Sequence, residues 1–366
     1  MMERRKNLND KFGFAVVMEY NLLKDIVEIT MGQSPDSLSY NNVKRGLPFY
    51  QGNADFGELY PIAKTWCDAP KKTAKKNDIL ISVRAPIGAI NYTRELCCIG
   101  RGLAAITVED DIERNYIYYF LKAKNSELIN QGTGSTFKAI GRPVLEMLKV
   151  PAISEKQKIL IIKSMDFLVD IIKLRKKELI LLDELIKARF IEMFYHKGYT
   201  VLEWNDVFYT RTGKLDSNAS IVNGKYPFFT CSKEILYIDD FAFDQEALLL
   251  AGNNAAGKYD VKYYKGKFNA YQRTYILTLR GNWSYQLFRY QLENKLEYLR
   301  QQSLGGLTKY LTMKILGELS FIIPPIEKQL EFEDFVRQVD KSREEVKKSL
   351  EKTQQLYDSL MQEYFG

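Results

Sequence analysis

Two stretches of this chain, Glu155–Phe194 and 327–365, contain no proline and no glycine. Long helices are the only economical reading of such stretches, and at 1.5 Å per residue over about 40 residues each would be roughly 60 Å long. Within the first, Leu168, Ile172, Arg175, Leu179, Leu182, Ile186, Arg189 and Met193 recur at alternating steps of four and three. The second has a seam of its own in Val336, Val339, Arg343, Val346, Leu350, Thr353, Tyr357, Leu360 and Tyr364. Spacing of this kind predicts two helices packed along their length as an antiparallel coiled coil. The residues expected to carry the pairing are Leu168, Ile172, Leu179, Leu182 and Ile186 on one side, with Val339, Val346, Leu350, Tyr357 and Leu360 on the other. Arginines on both seams (Arg175 and Arg189 on the first, Arg343 on the second) cost stability and are read as fixing the register between the helices.

The regions ahead of the two stretches resemble each other. Val150-Pro151-Ala152-Ile153-Ser154-Glu155-Lys156-Gln157 returns as Ile323-Pro324-Pro325-Ile326-Glu327-Lys328-Gln329, each closing a β-rich region and opening a helix. Proline is tolerated there because a helix start leaves its first N–H groups unpaired in any case. Leu47-Pro48-Phe49-Tyr50 answers to Tyr226-Pro227-Phe228-Phe229, Gly100-Arg101-Gly102 to Gln272-Arg273-Thr274, and 131–138 to 302–309. The order is kept, at offsets of roughly 170 to 180 residues, as a duplication requires. Short strands are expected at 78–83, 103–108, 247–251 and 275–279, broken by Gly, Asn and Pro turns. The predicted class is α+β: two similar globules, each followed by a long helix, related by a pseudo-twofold internal repeat. A length of 366 residues suits two domains.

Composition narrows the function. Apolar residues make up 46% of the chain, enough for real cores, and the longest apolar runs, such as 159–162 and 179–182, are far too short to span a bilayer. No membrane role is expected. The polar segment 1–10 carries no secretory signal, so a cytoplasmic address is expected. Cys67, Cys97, Cys98 and Cys231 fall in no C-x-x-C spacing and read as buried thiols, with Cys97 and Cys98 in a buried strand. His196 is the only histidine and reads as a solvated residue at a helix end, which leaves almost no material for histidine metal sites or Ser-His catalysis. No metal and no cofactor is expected. A net charge of +7 fits a nucleic-acid surface without requiring one.

Two similar globules joined through paired helices suit a bipartite target on one face of a duplex, where 10 to 10.5 base pairs occupy about 34 Å. At this point the order of motifs becomes specific. Both Pro-anchored helix starts, together with Met31-Gly32-Gln33-Ser34-Pro35, Gly132-Thr133-Gly134-Ser135-Thr136-Phe137-Lys138 and Leu185-Ile186-Lys187-Ala188-Arg189-Phe190-Ile191-Glu192-Met193-Phe194, make the chain resemble the specificity subunit of type I restriction-modification systems. The resemblance runs from about residue 20 onward and rests on order, duplication and spacing. In the second half Arg211-Thr212-Gly213-Lys214-Leu215 replaces the Gly-Gln-Ser-Pro element, as expected where each recognition domain reads a different sequence. The implied organisation is an N-terminal segment 1–19, target-recognition domain 20–154, central helical spacer 155–197, target-recognition domain 198–325 and C-terminal helical spacer 326–366. The resemblance implies binding of double-stranded DNA, with one half-site read by each domain. It also implies recruitment of two modification (methyltransferase) subunits through the helices, and of restriction (translocase/nuclease) subunits. It implies no catalysis by this chain.

Base discrimination needs Arg, Lys, Asn and Gln on loops, and phosphate contacts use Lys, Arg, Ser, Thr and backbone amides. The candidate DNA-binding residues are Gln51, Asn53, Arg84, Arg101, Ser135, Thr136 and Lys138 in the first domain. In the second they are Thr230, Ser232, Asn253, Asn254, Lys258, Arg273, Thr308 and Lys309. Gly252-Asn253-Asn254-Ala255-Ala256-Gly257-Lys258-Tyr259 nearly spells a phosphate-binding loop. However, Tyr259 stands where the Mg²⁺-holding hydroxyl belongs, and the residues after it read as a strand. A methyltransferase reading fails because Pro324-Pro325 lacks the flanking Asn and aromatic residue. The alternative left open is a non-catalytic coiled-coil scaffold that binds only proteins.

Overall fold

The structure, a computed structural model, describes residues 19–134, 138–195, 197–255 and 257–366. His196, Ser135 and Thr136 lie outside the described residues. The chain divides into two compact units: one ends at Lys176 and takes in Ser349–Gly366 as well, and the other is Lys177–Lys348.

The first unit opens on β1 (Tyr20–Leu22), a one-turn helix α1 (Leu23–Ile26) and β2 (Glu28–Met31). Short strands follow as β3 (Tyr40–Asn41), β4 (Leu47–Tyr50), β5 (Thr65–Cys67), β6 (Thr73–Ala74), β7 (Ile79–Ser82), β8 (Ile90–Tyr92), β9 (Cys97–Ile99) and β10 (Leu103–Thr107). Next come α2 (Asp111–Ala123), α3 (Asn125–Asn130), α4 (Arg142–Glu146) and β11 (Lys149–Pro151), which leads into the long helix α5 (Glu155–Phe194). The strands form sheets of order β2-β10-β7-β8 and β3-β5-β4-β9-β6, and β1 pairs with β11. Helix α2 starts where the Asp110 side chain accepts a hydrogen bond from the Glu113 amide at 2.7 Å, a cap of the kind that contributes about 1 kcal/mol. Its Tyr116, Ile117, Phe120 and Leu121 are fully buried, in one core with Ile79, Ile81, Ala104 and Ile106 of the sheet.

The second unit repeats this plan with β12 (Thr200–Glu203), α6 (Trp204–Val207), β13 (Phe208–Thr212), β14 (Tyr226–Phe229), β15 (Leu236–Ile238), β16 (Phe243–Ala251), β17 (Asn253–Asn254), β18 (Val261–Ala270) and β19 (Thr274–Leu279). It continues through α7 (Tyr285–Glu293), α8 (Leu296–Gln302), β20 (Lys309–Tyr310), α9 (Met313–Gly317), β21 (Ser320–Ile323) and the long helix α10 (Ile326–Phe365). Its main sheet has the order β13-β19-β16-β18-β14-β15. Strand by strand, β13 stands for β2, β19 for β10, β14 for β4 and β15 for β5. The parallel pair β4·β9 (Phe49↔Cys98, Tyr50↔Ile99) recurs as β14·β18 (Phe228↔Asn269, Phe229↔Ala270). One strand, β16, does the work of β6 and β7, and β18 that of β8 and β9. In the first unit both are interrupted, and Thr93 is turned inward there to donate to the Lys75 carbonyl beside the buried Asp78. The repeat therefore extends to the helices and to the closing pair β12·β21, the counterpart of β1·β11.

The two helix starts use the same glutamine differently. Gln157 Oε1 accepts from the Ser154 amide at 3.0 Å and from its hydroxyl at 2.9 Å, closing a capping box. Gln329 is buried: its amide donates to the Pro324 carbonyl at 2.7 Å, and its Oε1 accepts from the Ser284 amide at 3.0 Å, tying the start of α10 to the start of α7.

Within the first unit, Tyr357, Met361 and Phe365 of α10 share a core with Ile161, Ile162, Met165, Leu168 and Ile172 of α5. Within the second, Phe332, Val336 and Val339 of α10 share one with Ile186, Met193 and Phe194 of α5. Of the residues expected to carry helix pairing, Leu168, Ile172, Ile186, Val339, Val346 and Tyr357 are buried. Leu179, Leu182, Leu350 and Leu360 are half-buried.

Candidate nucleic-acid interface

In the first unit the main chain ties five loops into one edge. The turn Gly100-Arg101-Gly102 joins β9 to β10 and closes with the Leu103 amide on the Gly100 carbonyl at 3.0 Å. The Gly100 amide donates to the Tyr50 carbonyl at 2.8 Å, and the Gly102 amide to the Gln51 carbonyl at 3.2 Å. Gly102 in turn accepts from Val83 at 2.9 Å, Val83 accepts from Ile140 at 2.9 Å, and the Ala85 amide reaches the Lys138 carbonyl at 3.1 Å. The Ser34 hydroxyl fastens the loop after β2 by accepting from the Arg101 amide at 3.3 Å and from Gln51 Nε2 at 3.1 Å. Gly32 is required here, since a Cβ on it would lie 2.2 Å from the Gly100 carbonyl oxygen.

The second unit builds the same edge. The Tyr271 amide donates to the Phe229 carbonyl at 2.9 Å, Thr274 to Tyr271 at 2.8 Å, Gly252 to Arg273 at 2.9 Å and Leu311 to Gly252 at 2.8 Å. The Leu215 carbonyl takes the part of Ser34 by accepting from the Gln272 amide at 2.9 Å. Gly213 answers to Gly32, with a Cβ placed 1.9 Å from the Ala270 carbonyl oxygen. These bonds make Gln272 the counterpart of Arg101, and Arg273 that of Gly102. The pairing of Arg101 with Arg273 expected from the sequence is therefore displaced by one residue. Matching the two strands on their buried residues, Ala105-Ile106 against Ile276-Leu277, is the signal that finds the register.

Gln51, Arg84, Arg101 and Lys138 are thus brought to one edge of the first unit, all exposed, with Asn53 half-buried in the short turn after Gln51. In the second unit Asn253 and Asn254 pair with Tyr310 and Lys309 across β17·β20. The Asn254 side chain caps the following turn by accepting from the Lys258 amide at 3.2 Å. Exposed Ser232 and Thr308 flank this edge, and Ser232 is linked through Cys231, whose thiol donates to the Arg273 carbonyl at 3.4 Å. Thr230 is buried, and its hydroxyl accepts from the Ser232 amide at 3.2 Å, a structural role. The near-match to a phosphate loop runs from Gly252 into β17 and then into strand β18, with no helix behind it. A cleft of about 290 Å³ opens on the edge, lined by Thr212, Gly252, Gln272, Arg273, Tyr275, Tyr310 and Leu311. Burial raises the pKa of the Tyr275 hydroxyl, which donates to the Leu311 carbonyl at 3.0 Å. Gln272, Ser34 and Tyr310 belong to these edges but are not among the DNA-binding candidates named from the sequence.

Charge singles out the edges. Among the described residues, Arg84, Arg101 and Arg273 are the arginines with no ion pair, side-chain hydrogen bond or aromatic face of their own, and all three are exposed. Elsewhere guanidiniums are engaged, as in Arg45–Asp68, Arg289–Glu293 and Arg280 over the Tyr209 ring. A guanidinium without a protein partner offers its planar donor fork to a phosphate or to a guanine edge with no internal pair to break. Among the described residues, no group of three His, Cys, Asp or Glu is placed to hold a metal ion, and no helix is long and apolar enough to cross a membrane.

The sequence profile of the type I restriction modification DNA specificity domain matches residues 17–183 and again residues 196–355. The chain belongs to that family. It is similar to a protein of Methanocaldococcus jannaschii named as the specificity subunit of the type I restriction enzyme MjaX, at 39% identity over 152 residues, 41% of this chain and 36% of the relative. It is also similar to the type I restriction enzyme EcoDI specificity subunit of Escherichia coli, at 34% identity over 134 residues, 36% of this chain and 29% of the relative. The aligned stretch thus spans about a third of these curated relatives. The crystal structure of the S subunit of a type I restriction-modification system from M. genitalium shares the fold, with a TM-score of 0.62 at 14% identity, over 96% of this chain and 97% of that one. Two copies of the family domain in one chain agree with the two-unit division of the fold.

Proposed function

We propose that this chain is the DNA-recognition subunit of a type I restriction-modification complex. In this reading each module presents its loop edge to one half of a bipartite site in double-stranded DNA, and the chain itself has no catalytic role. The observation that carries the reading is the concentration, on equivalent loop edges of the two modules, of arginines that have no partner among the described residues. Family membership of both halves supports it. Arg84, Arg101, Arg273, Lys138, Lys258 and Lys309 supply the cationic contacts, and Gln51, Asn53, Asn253 and Asn254 the neutral ones.

In the same reading α5 and α10 pair as an antiparallel coiled coil that serves as the spacer, and two modification subunits dock on the helices, one per repeat. Restriction subunits join the complex through them, in the cytoplasm where the DNA is. Support for docking comes from Leu160, Phe167 and Leu174, seven residues apart on α5 and each 65% exposed. Apolar side chains so regularly spaced and left open are expected of a surface that another protein covers. The deciding experiment titrates the full chain onto duplex DNA at rising salt. Affinity that falls steeply, by the release of counterions, supports the reading, and affinity that is absent or indifferent to salt leaves a protein-binding scaffold in its place.

A further inference from the structure

We propose that one turn position is the base reader in both modules and carries a different letter in each, with Arg101 taking a guanine and Gln272 an adenine. The inference rests on the DNA-reading function above and deepens it to the level of single bases. Arg101 and Gln272 occupy the same place in the same hydrogen-bonded turn: the residue before each donates to β4 or β14 at 2.8 and 2.9 Å, and the residue two after each closes the turn at 3.0 and 2.8 Å. Each is also held at its own amide by the loop after β2 or β13, through Ser34 in one unit and Leu215 in the other. The backbone is thereby fixed while the side chain is exposed, the arrangement that makes a contact selective.

The chemistry of the two side chains then assigns the letters. Guanine presents two acceptors in the major groove, O6 and N7, which a guanidinium fork meets with two donors. Adenine presents one acceptor, N7, and one donor at N6, which a carboxamide meets with one of each. Arg101 has no side-chain hydrogen bond or ion pair among the described residues, so its fork is uncommitted. Gln272 Nε2 donates to Asp216 Oδ1 at 2.6 Å. That bond engages one amide hydrogen and fixes the plane of the group, leaving Oε1 and the second hydrogen as the acceptor and donor that adenine needs. The Asp216 carboxylate beside it also repels an O6 acceptor, which disfavours guanine.

The test is selection from a pool of random duplexes by the full chain, with sequencing of the bound fraction, for the wild type and for Arg101→Gln and Gln272→Arg. The wild type is expected to enrich a two-part motif. Arg101→Gln should turn one guanine of one half into adenine, and Gln272→Arg one adenine of the other half into guanine, each shifting the preference about tenfold or more with the second half unchanged. Arg101→Ala and Gln272→Ala should flatten the same two positions, which guards against a swap that the turn cannot seat. Variants that melt with the wild type and keep its motif intact would overturn this inference and leave DNA reading standing. No enrichment by the wild type would overturn DNA reading and the inference with it.

Discussion

Arg343 on α10 reaches Asp183 on α5 at 2.5 Å, and Arg189 on α5 reaches Glu331 on α10 at 2.6 Å. The later residue of α5 meets the earlier residue of α10, so within the second unit the two segments run in opposite directions. Asp183 is 70% exposed and Glu331 41%, so solvent screens both pairs. Arg343→Ala is expected to lower stability by no more than about 1 kcal/mol. Phe332, fully buried against Phe190, Phe194 and Tyr290, is expected to cost about 3 to 5 kcal/mol as Phe332→Ala. Urea unfolding of both variants checks the ranking, and an arginine loss as large as the phenylalanine loss would contradict it.

Arg84 and Arg273 are the guanidiniums beside the proposed base readers that have no ion pair or side-chain hydrogen bond among the described residues. If they grip phosphates, Arg84→Ala and Arg273→Ala should each weaken binding to all duplexes alike and reduce the slope of log affinity against log salt by about 1. Fluorescence anisotropy across a salt series measures this. A variant with an unchanged slope but an altered sequence preference would move that residue from phosphate grip to base contact.

Phe167 stands mid-way along the open apolar row on α5. Phe167→Glu should leave the melting temperature within a degree or two, as surface changes do, and should abolish co-purification with the modification subunit of its own system. Retention of that partner at wild-type yield would place the docking surface elsewhere.

Burial pushes the Cys97 and Cys98 thiols, and the Tyr50 hydroxyl, up to about 12. For the two thiols the ordinary value is 9.0. In the unfolded chain they ionise from about pH 9, whereas in the folded chain they stay protonated. The sign follows: their contribution is fully present below the unfolded value and is lost as pH rises toward 12. Urea midpoints are therefore expected to hold level up to about pH 8.5 and to fall by about pH 10, and Cys97 should resist alkylation until the protein unfolds. A flat profile would show the thiols to be accessible.

The long helices were legible because absence of proline and glycine over ten turns admits little else, and their seam positions are all buried or half-buried. The duplication was legible in the paired Pro-Glu-Lys-Gln starts, and every strand expected from the sequence lies within or beside an observed one. What stayed hidden follows from how the edges are built. Their loops are joined by backbone amides and carbonyls, which leave no residue-type signature, so the turn residues alone do not tell Gln272 from Arg273 as the partner of Arg101, and only the buried residues of the following strand do. The burial of Thr230, just after β14, was equally hidden, because nothing in its neighbours announces that its hydroxyl accepts from the Ser232 amide.

Side chains add to that backbone scaffolding at a few points, and one of them is exchangeable: the Ser34 hydroxyl that accepts from the Arg101 amide is replaced in the second module by the Leu215 carbonyl, which accepts from the Gln272 amide. A frame stitched almost wholly from main-chain atoms is indifferent to what its outward-facing side chains are. If the modules read DNA as proposed, new target sequences can arise by exchanging a handful of surface residues while the frame is kept. On that proposal the two halves of one polypeptide could drift toward unrelated words of DNA and still be cast from a single mould.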